Sequence, residues 1–510
     1  MSHPTHEVHL TGPEIRSRLG HPIIDGDAHI NEFYPGFLEA IDKVGGPEFG
    51  QRYRQGFLSS GTGGGHRGGD FSGWVDQSWE ERRRWRTRRP AWWGMPTRNL
   101  KDAATAVLPG LLYERMPELG WDFTIVYGGL GLFLPIELDE ERRRIGCRAL
   151  NTLQADMYAE YADRICPVAV IPMSTPQEAV DELEHAVLRL RHKVIMIPTG
   201  VPRPIAGLHE TAPQAFPDAH WMDYYGVDSE HDYDPFWKRC VELGVAVTAH
   251  AGTLPTIPWS GRAISSYSFN HIGNHAMHQA ALAKSLVMGG VTRRFPTLNF
   301  ALLEGGMGWA FQQMAEMIGL WEKRSVAGLA NTNPANLDRK GYRALVERYA
   351  GRFAEGRMDQ FDLSLENFFT ANVDPADLDE WAAMELTGEE DFADRYSARI
   401  FFGCEADDRA NVLAFDTRLT PLGVRFKAVF GSDIGHFDVP DMRHVVGEAW
   451  ELCDDGLMSQ EDFRDFTFAN AVRLHGGMNP RFFEGTAVEA EARKCLEKSA
   501  PSAGGSGRPT

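Results

Sequence analysis

The chain has 510 residues, 43% of them hydrophobic, and a formal net charge of −19. This length and apolar content suit a barrel of roughly 250 residues with large insertions and argue against a disordered or fibrous protein. The acidic balance repels nucleic-acid phosphates, so we expect no DNA or RNA partner.

The N-terminal residues 1–21 are interpreted as an extension, because they lack the apolar core of a signal peptide. No run reaches the ~18 apolar residues of a membrane helix, so no membrane partner is expected. Without a CxxC pair, the cysteines are predicted to be reduced, which indicates a cytoplasmic protein. The six cysteines are Cys147, Cys166, Cys240, Cys404, Cys453 and Cys495.

Eight short apolar runs alternate with segments of helical pattern. Such alternation is typical of a parallel sheet with helical crossovers, and eight strands favour a closed (β/α)8 TIM barrel of the α/β class. An open doubly wound sheet is the alternative. The predicted strands are Pro22–His29, Phe123–Tyr127, Pro167–Pro172, Lys193–Gly200, Val245–Ala251, Leu298–Gly305, Arg399–Glu405 and Phe426–Asp433.

Three of the intervening segments are clearly predicted as helices. Pro176–Leu190 follows a Ser-Thr cap, starts with proline and repeats its apolar residues every three to four positions. Asp139–Tyr161 and Asn274–Met288 show a similar pattern.

Three connections are much longer than a βα loop requires. They span about 30–120, 201–233 and 307–397, and since each follows a strand end we expect them to cap the C-terminal face of a barrel over 22–483. The glycine-rich run Ser59–Asp70 predicts a mobile loop, and it lacks the GK[ST] of a P-loop. Residues 484–510 end in PSAGGSGRPT and are expected to form a disordered tail.

Histidine and aspartate side chains stand at the ends of three predicted strands. Asp27 and His29 lie two apart on the first strand and therefore point to the same face. His250 ends the fifth strand and Asp433 ends the eighth, and in a barrel these strand ends surround one mouth. Two imidazoles and two carboxylates suit one or two Zn²⁺, Mn²⁺ or Fe²⁺ ions better than Ca²⁺. Each residue alone fits a structural role, but their joint placement predicts a metal centre.

Five segments together resemble the amidohydrolase superfamily: DGDAHINE, VTAHAG, LLEGGMGW, FGSDIGH and NAVRLHG, in that order. The closer resemblance is to the amidohydrolase-related branch that includes aminocarboxymuconate-semialdehyde decarboxylase-like enzymes, and it extends from about Pro22 to about Phe483. It implies a TIM-barrel metalloenzyme that performs hydrolysis or non-oxidative decarboxylation, often as a dimer.

The chain departs from the family pattern at two positions. The first-strand motif is often His-x-His, whereas here it is Asp27-x-His29. Related branches use a carboxylate there, so the ligand role is retained. At the sixth strand the decarboxylase-like members usually have a histidine that is thought to transfer a proton, whereas this chain has Glu304. We predict that Glu304 is a general base or a ligand of a second metal, with a structural salt bridge at the barrel rim as the alternative.

Other acidic and histidine side chains follow the strand ends. His271, His275 and His278 can share a helical face, and His275 is the one chosen as a catalytic residue or second-metal ligand. A polar helix start facing the cap is the alternative for these histidines. Further candidates for the second metal or the ligand-supporting shell are Glu32, Glu405 and His436, with Asp438 beside them.

The first insertion contains the basic run Arg82–Arg89 among several tryptophans. A solvated helix face balanced by Glu80 and Glu81 is the favoured interpretation. The functional alternative is a cap that recruits an anionic substrate. The tryptophans are expected to form mostly cap core, with one or two lining a pocket; they are Trp74, Trp79, Trp85, Trp92 and Trp93.

These features predict a hydrolase that uses a metal-activated water on an amide, ester, thioester or lactone of a small organic acid. The alternative is a metal-dependent, non-oxidative decarboxylase of an aromatic or unsaturated carboxylic acid. A metal-stabilised binding protein on a barrel scaffold is a third possibility. A small-molecule substrate and a homodimer are expected.

Overall fold

In the computed structural model, eight parallel strands run in chain order around one sheet, and a separate two-stranded antiparallel sheet stands beside it. The structure describes residues 10–59, 74–89, 98–212, 219–250, 261, 263–365 and 378–499. All eight predicted barrel strands are confirmed, with shifts of a few residues at their ends. The strands are β1 (Ile24–Ile30), β2 (Phe123–Gly128), β3 (Ile165–Val170), β4 (Val194–Pro198), β5 (Val201–Pro204), β6 (His220–Asp223), β7 (Val247–His250), β8 (Phe300–Leu302), β9 (Ile400–Glu405) and β10 (Lys427–Gly431).

The first and last strands meet and bring the sheet round into a barrel. The amide of Asp433 donates to the carbonyl of Asp27 at 3.0 Å, and the amide of His29 donates to the carbonyl of Ile434 at 2.9 Å. These contacts make the fold a (β/α)8 barrel rather than an open sheet.

Helices surround the barrel and fill the insertions. The α-helices are α1 (Gly12–Arg18), α2 (Tyr34–Ser59), α3 (Trp79–Trp85), α4 (Leu100–Thr105), α5 (Pro109–Leu119), α6 (Glu140–Tyr158), α7 (Pro176–Glu184), α8 (Ala206–Thr211), α9 (Asp234–Leu243), α10 (Tyr267–His271), α11 (Asn274–Met288), α12 (Val291–Arg294), α13 (Gly308–Arg324), α14 (Arg339–Tyr349), α15 (Val445–Asp454), α16 (Gln460–Arg464), α17 (Asn470–Gly476) and α18 (Glu489–Ser499).

The helix predicted from Pro176 starts as its sequence indicates. The Thr175 side chain accepts a hydrogen bond from the Glu178 amide, and proline occupies the first turn, where no amide hydrogen is needed. The α-helical part ends at Glu184, and the chain continues as a π-helical turn over His185–Arg189. The predicted span is therefore confirmed with a change of winding in its last part.

Side chains alternate between two apolar clusters along the barrel strands, as the period of two requires. On β3, Val168 and Val170 pack in one cluster and Ala169 in the other. Tyr127 shares the cluster of Val168, and its ring lies 6.1 Å from that of His29. One face of the strands therefore points into the barrel and carries the site histidines, while the other packs on helices.

The insertions have structure that their sequences did not indicate. The segment 201–233 contains the antiparallel pair β5 and β6, joined in register from Val201–Asp223 to Pro204–His220. In the first insertion, Phe37 and Tyr53 on α2 pack in the same cluster as Leu150 on α6. That helix therefore lies against the outer helices. The predicted loop Ser59–Asp70 lies outside the described residues except for its first position.

The C-terminal region differs from the expected disordered tail. Residues 484–499 are described, and α18 places Ala492 and Cys495 in buried positions. Ala492 and Cys495 lie one turn apart, and together with Leu496 they pack in the apolar cluster beside the barrel. Residues 500–510 lie outside the described residues. Across the described ranges, none of the helices combines the length and apolar character needed to cross a membrane.

A buried aspartate links the first and last barrel strands. Asp25 is 0% exposed, and its Oδ1 accepts hydrogen bonds from the amides of Asp27 at 3.2 Å and Ser432 at 3.0 Å. Its Oδ2 accepts from the hydroxyls of Ser432 at 2.6 Å and Thr124 at 3.1 Å. One carboxylate thus satisfies four donors from three segments.

Asp25→Ala is expected to lower the free energy of unfolding by about 3 kcal/mol, because it leaves buried donors without acceptors. Asp25→Asn should cost only about 1 kcal/mol. The amide oxygen can replace Oδ1, and the two hydroxyls can rotate to accept from the amide NH₂. Urea unfolding of chelator-treated protein measures both changes. Equal losses in the two variants would contradict the proposed hydrogen-bond pattern.

Candidate metal centre

Four side chains named from the sequence converge at the mouth of the barrel. The Nε2 atom of His29 lies 3.6 Å from Asp27 Oδ1 and 3.4 Å from Asp433 Oδ1. It also lies 3.2 Å from the Nε2 atom of His250. All four residues are buried. The structure therefore brings together the ends of β1, β7 and β10, as the sequence predicted.

The distances from His29 Nε2 suit a shared divalent cation, and the possible ligands around this atom fall into two overlapping groups: Asp27 with His29 and His250, and Asp433 with His29, Glu304 and His436. Ligand bonds of about 2.0–2.1 Å in a tetrahedron place neighbouring ligand atoms about 3.4 Å apart. The distances from His29 Nε2 range from 3.2 to 3.6 Å and so match this value. The mixed nitrogen and oxygen donors favour Zn²⁺, Mn²⁺ or Fe²⁺.

Buried negative charge is a second feature that a cation fits. Asp27 Oδ1 and Asp433 Oδ2 are buried and accept no hydrogen bond from the described residues. Burial and the nearby Glu304 raise the pKa of the Asp27 carboxyl well above its usual range. Burial likewise raises the pKa of Asp433, although His436 opposes the shift. A bound cation would relieve this desolvation and repulsion and keep both carboxylates ionised.

Glu304 lies between two histidines at the same centre. Its Oε2 atom is 2.8 Å from His250 Nε2 and 3.3 Å from His275 Nδ1. Burial alone would raise its pKa, but the adjacent His275 and His250 lower it well below the usual range. Burial lowers the pKa of His275 to about 4, so this imidazole is neutral near pH 7. The three side chains form a further set of possible ligands that shares His250 with the Asp27 group.

Both acidic residues at the strand ends have strained backbones. Glu304 has φ +54° and Asp433 has φ +51°, in the left-handed region that side chains other than glycine rarely adopt. Such conformations cost of order 1–3 kcal/mol and cluster at functional sites. Here they turn the two carboxylates towards the histidines.

His436 belongs to the inner arrangement. Its Nδ1 lies 2.8 Å from Asp433 Oδ1, and its ring stacks on that of His29 at 4.0 Å and 21°. Burial lowers its pKa, but the Asp433 carboxylate more than compensates and raises the value to about 10. His436 forms a possible ligand group with His29, Glu304 and Asp433. The ligand atoms of these four side chains all lie within 4.8 Å of one another.

Three other candidates lie outside the possible ligand groups of the described residues. The Glu32 carboxylate accepts a hydrogen bond from the Leu130 amide at 2.9 Å, which ties the loop after β1 to the segment after β2. Glu405 ends β9 half-buried, and burial together with Glu304 raises its pKa to about 8. His278 is buried on α11, and burial lowers its pKa to about 4.

The basic run of the first insertion is largely engaged with tryptophans. The Arg82 guanidinium lies 3.6 Å from the centre of the Trp74 ring, and its Nε donates to the Trp74 carbonyl at 2.8 Å. Arg83 and Arg84 lie over Trp79 and Trp85 at 5.3 and 5.4 Å. These contacts favour the structural interpretation for Arg82–Arg84. Trp92 and Trp93 lie outside the described residues.

The other end of that run reaches the segment after β7. The Arg89 amide donates to the Ala263 carbonyl at 3.1 Å, and its Nη1 donates to the Ser265 carbonyl at 2.6 Å. Burial raises the pKa of the nearby Tyr267 to about 12, and Asp438 and Glu304 add to the rise. The positive charge of Arg88, next to Arg89 in the chain, acts in the opposite direction.

Sequence reasoning missed Asp25, whose carboxylate accepts hydrogen bonds from both the first strand and the segment after the last. Asp25 could have been found, because it lies two positions before Asp27 in the same DGD motif.

Comparisons with known proteins agree with this fold. The profile of the amidohydrolase family matches residues 131–352, which include His250, His275 and Glu304. No curated protein matches the chain. An amidohydrolase from Mycobacterium avium subsp. paratuberculosis K-10 has a similar structure at 16% identity, with a TM-score of 0.51 over 90% of this chain and 100% of that one.

Two further solved structures show weaker likeness. A 5-carboxyvanillate decarboxylase from Novosphingobium aromaticivorans, complexed with manganese and a nitrobenzoic acid, is 14% identical at a TM-score of 0.46, covering 89% of this chain and 96% of that one. A 4-oxalomesaconate hydratase from Rhodopseudomonas palustris is 13% identical at 0.43, covering 93% and 99%. The family profile and the barrel fold confirm the resemblance to the amidohydrolase superfamily.

Proposed function

We propose that the chain is a metal-dependent hydrolase of an amide, ester, thioester or lactone of a small organic acid. The observation that carries this proposal is the position of Glu304, whose carboxylate lies 2.8 Å from His250 Nε2. A general base must lie within hydrogen-bond reach of the group that loses its proton. Here the base and the possible metal ligands share one histidine, so a water at the centre would lie within reach of both.

The residues have separate tasks in this proposal. Asp27, His29, His250 and Asp433 hold the cation, which when bound lowers the pKa of a water and polarises a carbonyl. Glu304 accepts the proton of the attacking water and returns it to the leaving group. His275 orients Glu304 through the 3.3 Å contact. The cation is proposed as zinc, manganese or iron, and the count as one or two.

Isotope incorporation tests the reaction class. Protein loaded with Zn²⁺ or Mn²⁺ is incubated in H₂¹⁸O with a library of esters, thioesters, lactones, amides and aromatic carboxylic acids. Hydrolysis places ¹⁸O in the acid product. Release of CO₂ without incorporation of water oxygen into an acid product would contradict hydrolysis and support decarboxylation. Ligand binding without turnover across the library would support a binding protein.

Arg88→Gln is expected to raise KM about fivefold for an anionic substrate, with a larger effect at low ionic strength because salt screens the attraction. Arg88 is the arginine of the basic run whose charge acts on Tyr267 beside the centre. The assay compares 4-nitrophenyl hemisuccinate with neutral 4-nitrophenyl acetate.

Arg83→Gln is the matched control, because Arg83 is exposed and lies over Trp79. It should leave both KM values within error of the unmodified protein. An equal rise for the anionic and neutral esters in Arg88→Gln would instead indicate a packing role.

A further inference from the structure

A buried ion pair lies outside the metal centre, between two helices of the first insertion. Asp102 on α4 is 0% exposed, Arg115 on α5 is 3% exposed, and Arg115 Nη1 lies 2.7 Å from Asp102 Oδ1. The same nitrogen donates to the Thr105 hydroxyl at 2.6 Å. Removing two charges from water often costs as much free energy as their attraction supplies. Stability alone is therefore a poor explanation for this pair.

The second carboxylate oxygen of Asp102 contacts the segment between β10 and α15, residues 432–444, here called the β10 loop. Asp102 Oδ2 accepts a hydrogen bond from the Met442 amide at 2.8 Å, across 340 positions of sequence. Met442 is 1% exposed, so water does not compete for this amide. Asp102 thus binds Arg115 with one oxygen and the far end of the β10 loop with the other.

The near end of the β10 loop lies against the end of the same helix. The Asn31 amide donates to the carbonyl of Ala106, directly after α4, at 2.8 Å, and Asn31 Nδ2 donates to the Gly435 carbonyl at 3.4 Å. Gly435 has φ +93°, and a Cβ there would collide with the His29 carbonyl oxygen and approach the Ala106 side chain. Gly435 therefore fits between the first strand and α4.

The stretch between these two attachments carries a residue of the centre. His436 follows Gly435, its Nδ1 lies 2.8 Å from Asp433 Oδ1, and its ring stacks on that of His29 at 4.0 Å. A displaced β10 loop would move this ring and its contact with Asp433. Groups that orient metal ligands typically change the metal affinity about 10- to 100-fold when they are removed.

We propose that Asp102 is a positioning residue of the metal centre: its carboxylate holds the β10 loop, so that His436 stays against Asp433 and His29. Arg115 balances the buried charge of that carboxylate and fixes its orientation. The inference rests on the metal site of the proposed function but does not require the reaction to be hydrolysis. It gives α4, on the first insertion, a task at the opposite end of the chain.

A double variant removes the attachment without leaving a buried charge. Asp102→Leu with Arg115→Met replaces the pair by apolar side chains, an exchange that is often neutral for stability, but it deletes the acceptor of the Met442 amide. Calorimetry without substrate is expected to show Mn²⁺ binding weakened about tenfold or more. Unaltered affinity would overturn the proposal, and so would a lack of Mn²⁺ binding by the unmodified protein.

A second double variant isolates the hydrogen bond. Asp102→Asn with Arg115→Met is equally free of charge, but the amide oxygen of asparagine can still accept from Met442. It should bind Mn²⁺ within about twofold of the unmodified protein. Hydrogen exchange of residues 434–444 in the metal-free protein should be faster in the leucine variant than in the asparagine variant. Equal losses of affinity in both would indicate a packing role and contradict the assignment.

The ion pair between Arg143 on α6 and Glu178 on α7 provides the control. Both residues are buried, and two hydrogen bonds of 2.9 and 3.1 Å join them. Arg143→Met with Glu178→Leu should leave the Mn²⁺ affinity unaltered, because this pair connects two outer helices rather than the β10 loop. Urea unfolding of the metal-free variants checks that each remains folded. A loss of affinity in this control as large as in the leucine variant would refute a specific role for Asp102.

The outcomes for Asp102 and for the reaction are separable. Calorimetry reports the metal affinity without turnover, whereas the isotope experiment reports the reaction. A decarboxylase whose leucine variant binds Mn²⁺ weakly would refute the hydrolase and keep the role of Asp102. A hydrolase whose leucine variant binds Mn²⁺ normally would do the reverse.

Discussion

Asp433→Asn and His250→Ala are each expected to lose most of the bound metal and at least ~100-fold in kcat/KM while keeping the barrel. Both side chains lie at strand ends, where their removal leaves the strand pairing intact. Asp433 and His250 each lie within a few ångströms of His29 Nε2, so either change removes one of the proposed ligands. Losing one ligand of four weakens a divalent site strongly, because the remaining donors cannot complete the coordination.

Elemental analysis after gel filtration, together with far-ultraviolet circular dichroism, checks this expectation. His444→Ala is the matched control, since His444 is 46% exposed on its side chain and faces Asp441 at 4.0 Å rather than the centre. It should retain metal and activity. Full metal content and full activity in either test variant would refute the ligand assignment.

Glu304→Gln is expected to reduce kcat by at least ~100-fold, the contribution typical of a general base. Glutamine has nearly the same shape, so the strained backbone at φ +54° and the approach to His250 are retained. Only the negative charge and the ability to accept a proton are lost. KM should change much less than kcat, because the residue acts on water rather than on bound substrate.

Metal content distinguishes the two roles of Glu304. If its carboxylate bridges two ions, the variant should fall from two metals to one. If it acts only as a base, the single metal should remain. Glu322→Gln on α13 is the control, and it should leave both kcat and metal content unaltered. Retained catalysis with unaltered metal would make Glu304 a structural rim residue.

The strands and the meeting of Asp27, His29 and Asp433 at one mouth could be predicted from sequence, because both depend on local rules. Apolar runs with Asp27, His29 and Asp433 at their ends define the barrel and its mouth through the period of two and the parallel order of strands. The closure of the barrel through Asp25 and Ser432 depends on the twist of the whole sheet. The DGD motif is its only local signal in the sequence.

Features that depend on tertiary contacts could not be predicted. The helix over Glu489–Ser499 has a polar composition, and the burial of Ala492 and Cys495 is seen only in the folded chain. From the sequence, the basic run could contact solvent, substrate or tryptophan. Only the folded chain shows that Arg82 lies against Trp74. The contacts of Tyr267 and His271 with Phe437 likewise join two segments far apart in sequence.

The hydrogen bonds between Asp25 and Ser432 span 407 positions, and the proposed ligands Asp27 and Asp433 follow them directly. A nascent chain leaving the ribosome therefore exposes one half of the ligand set long before the other half has been synthesised. Loop closure over such a distance is slow and depends on the intervening strands being in place. Tight metal capture should then occur only after Asp433 has been synthesised and the barrel has closed, so retained metal would report a correctly closed barrel.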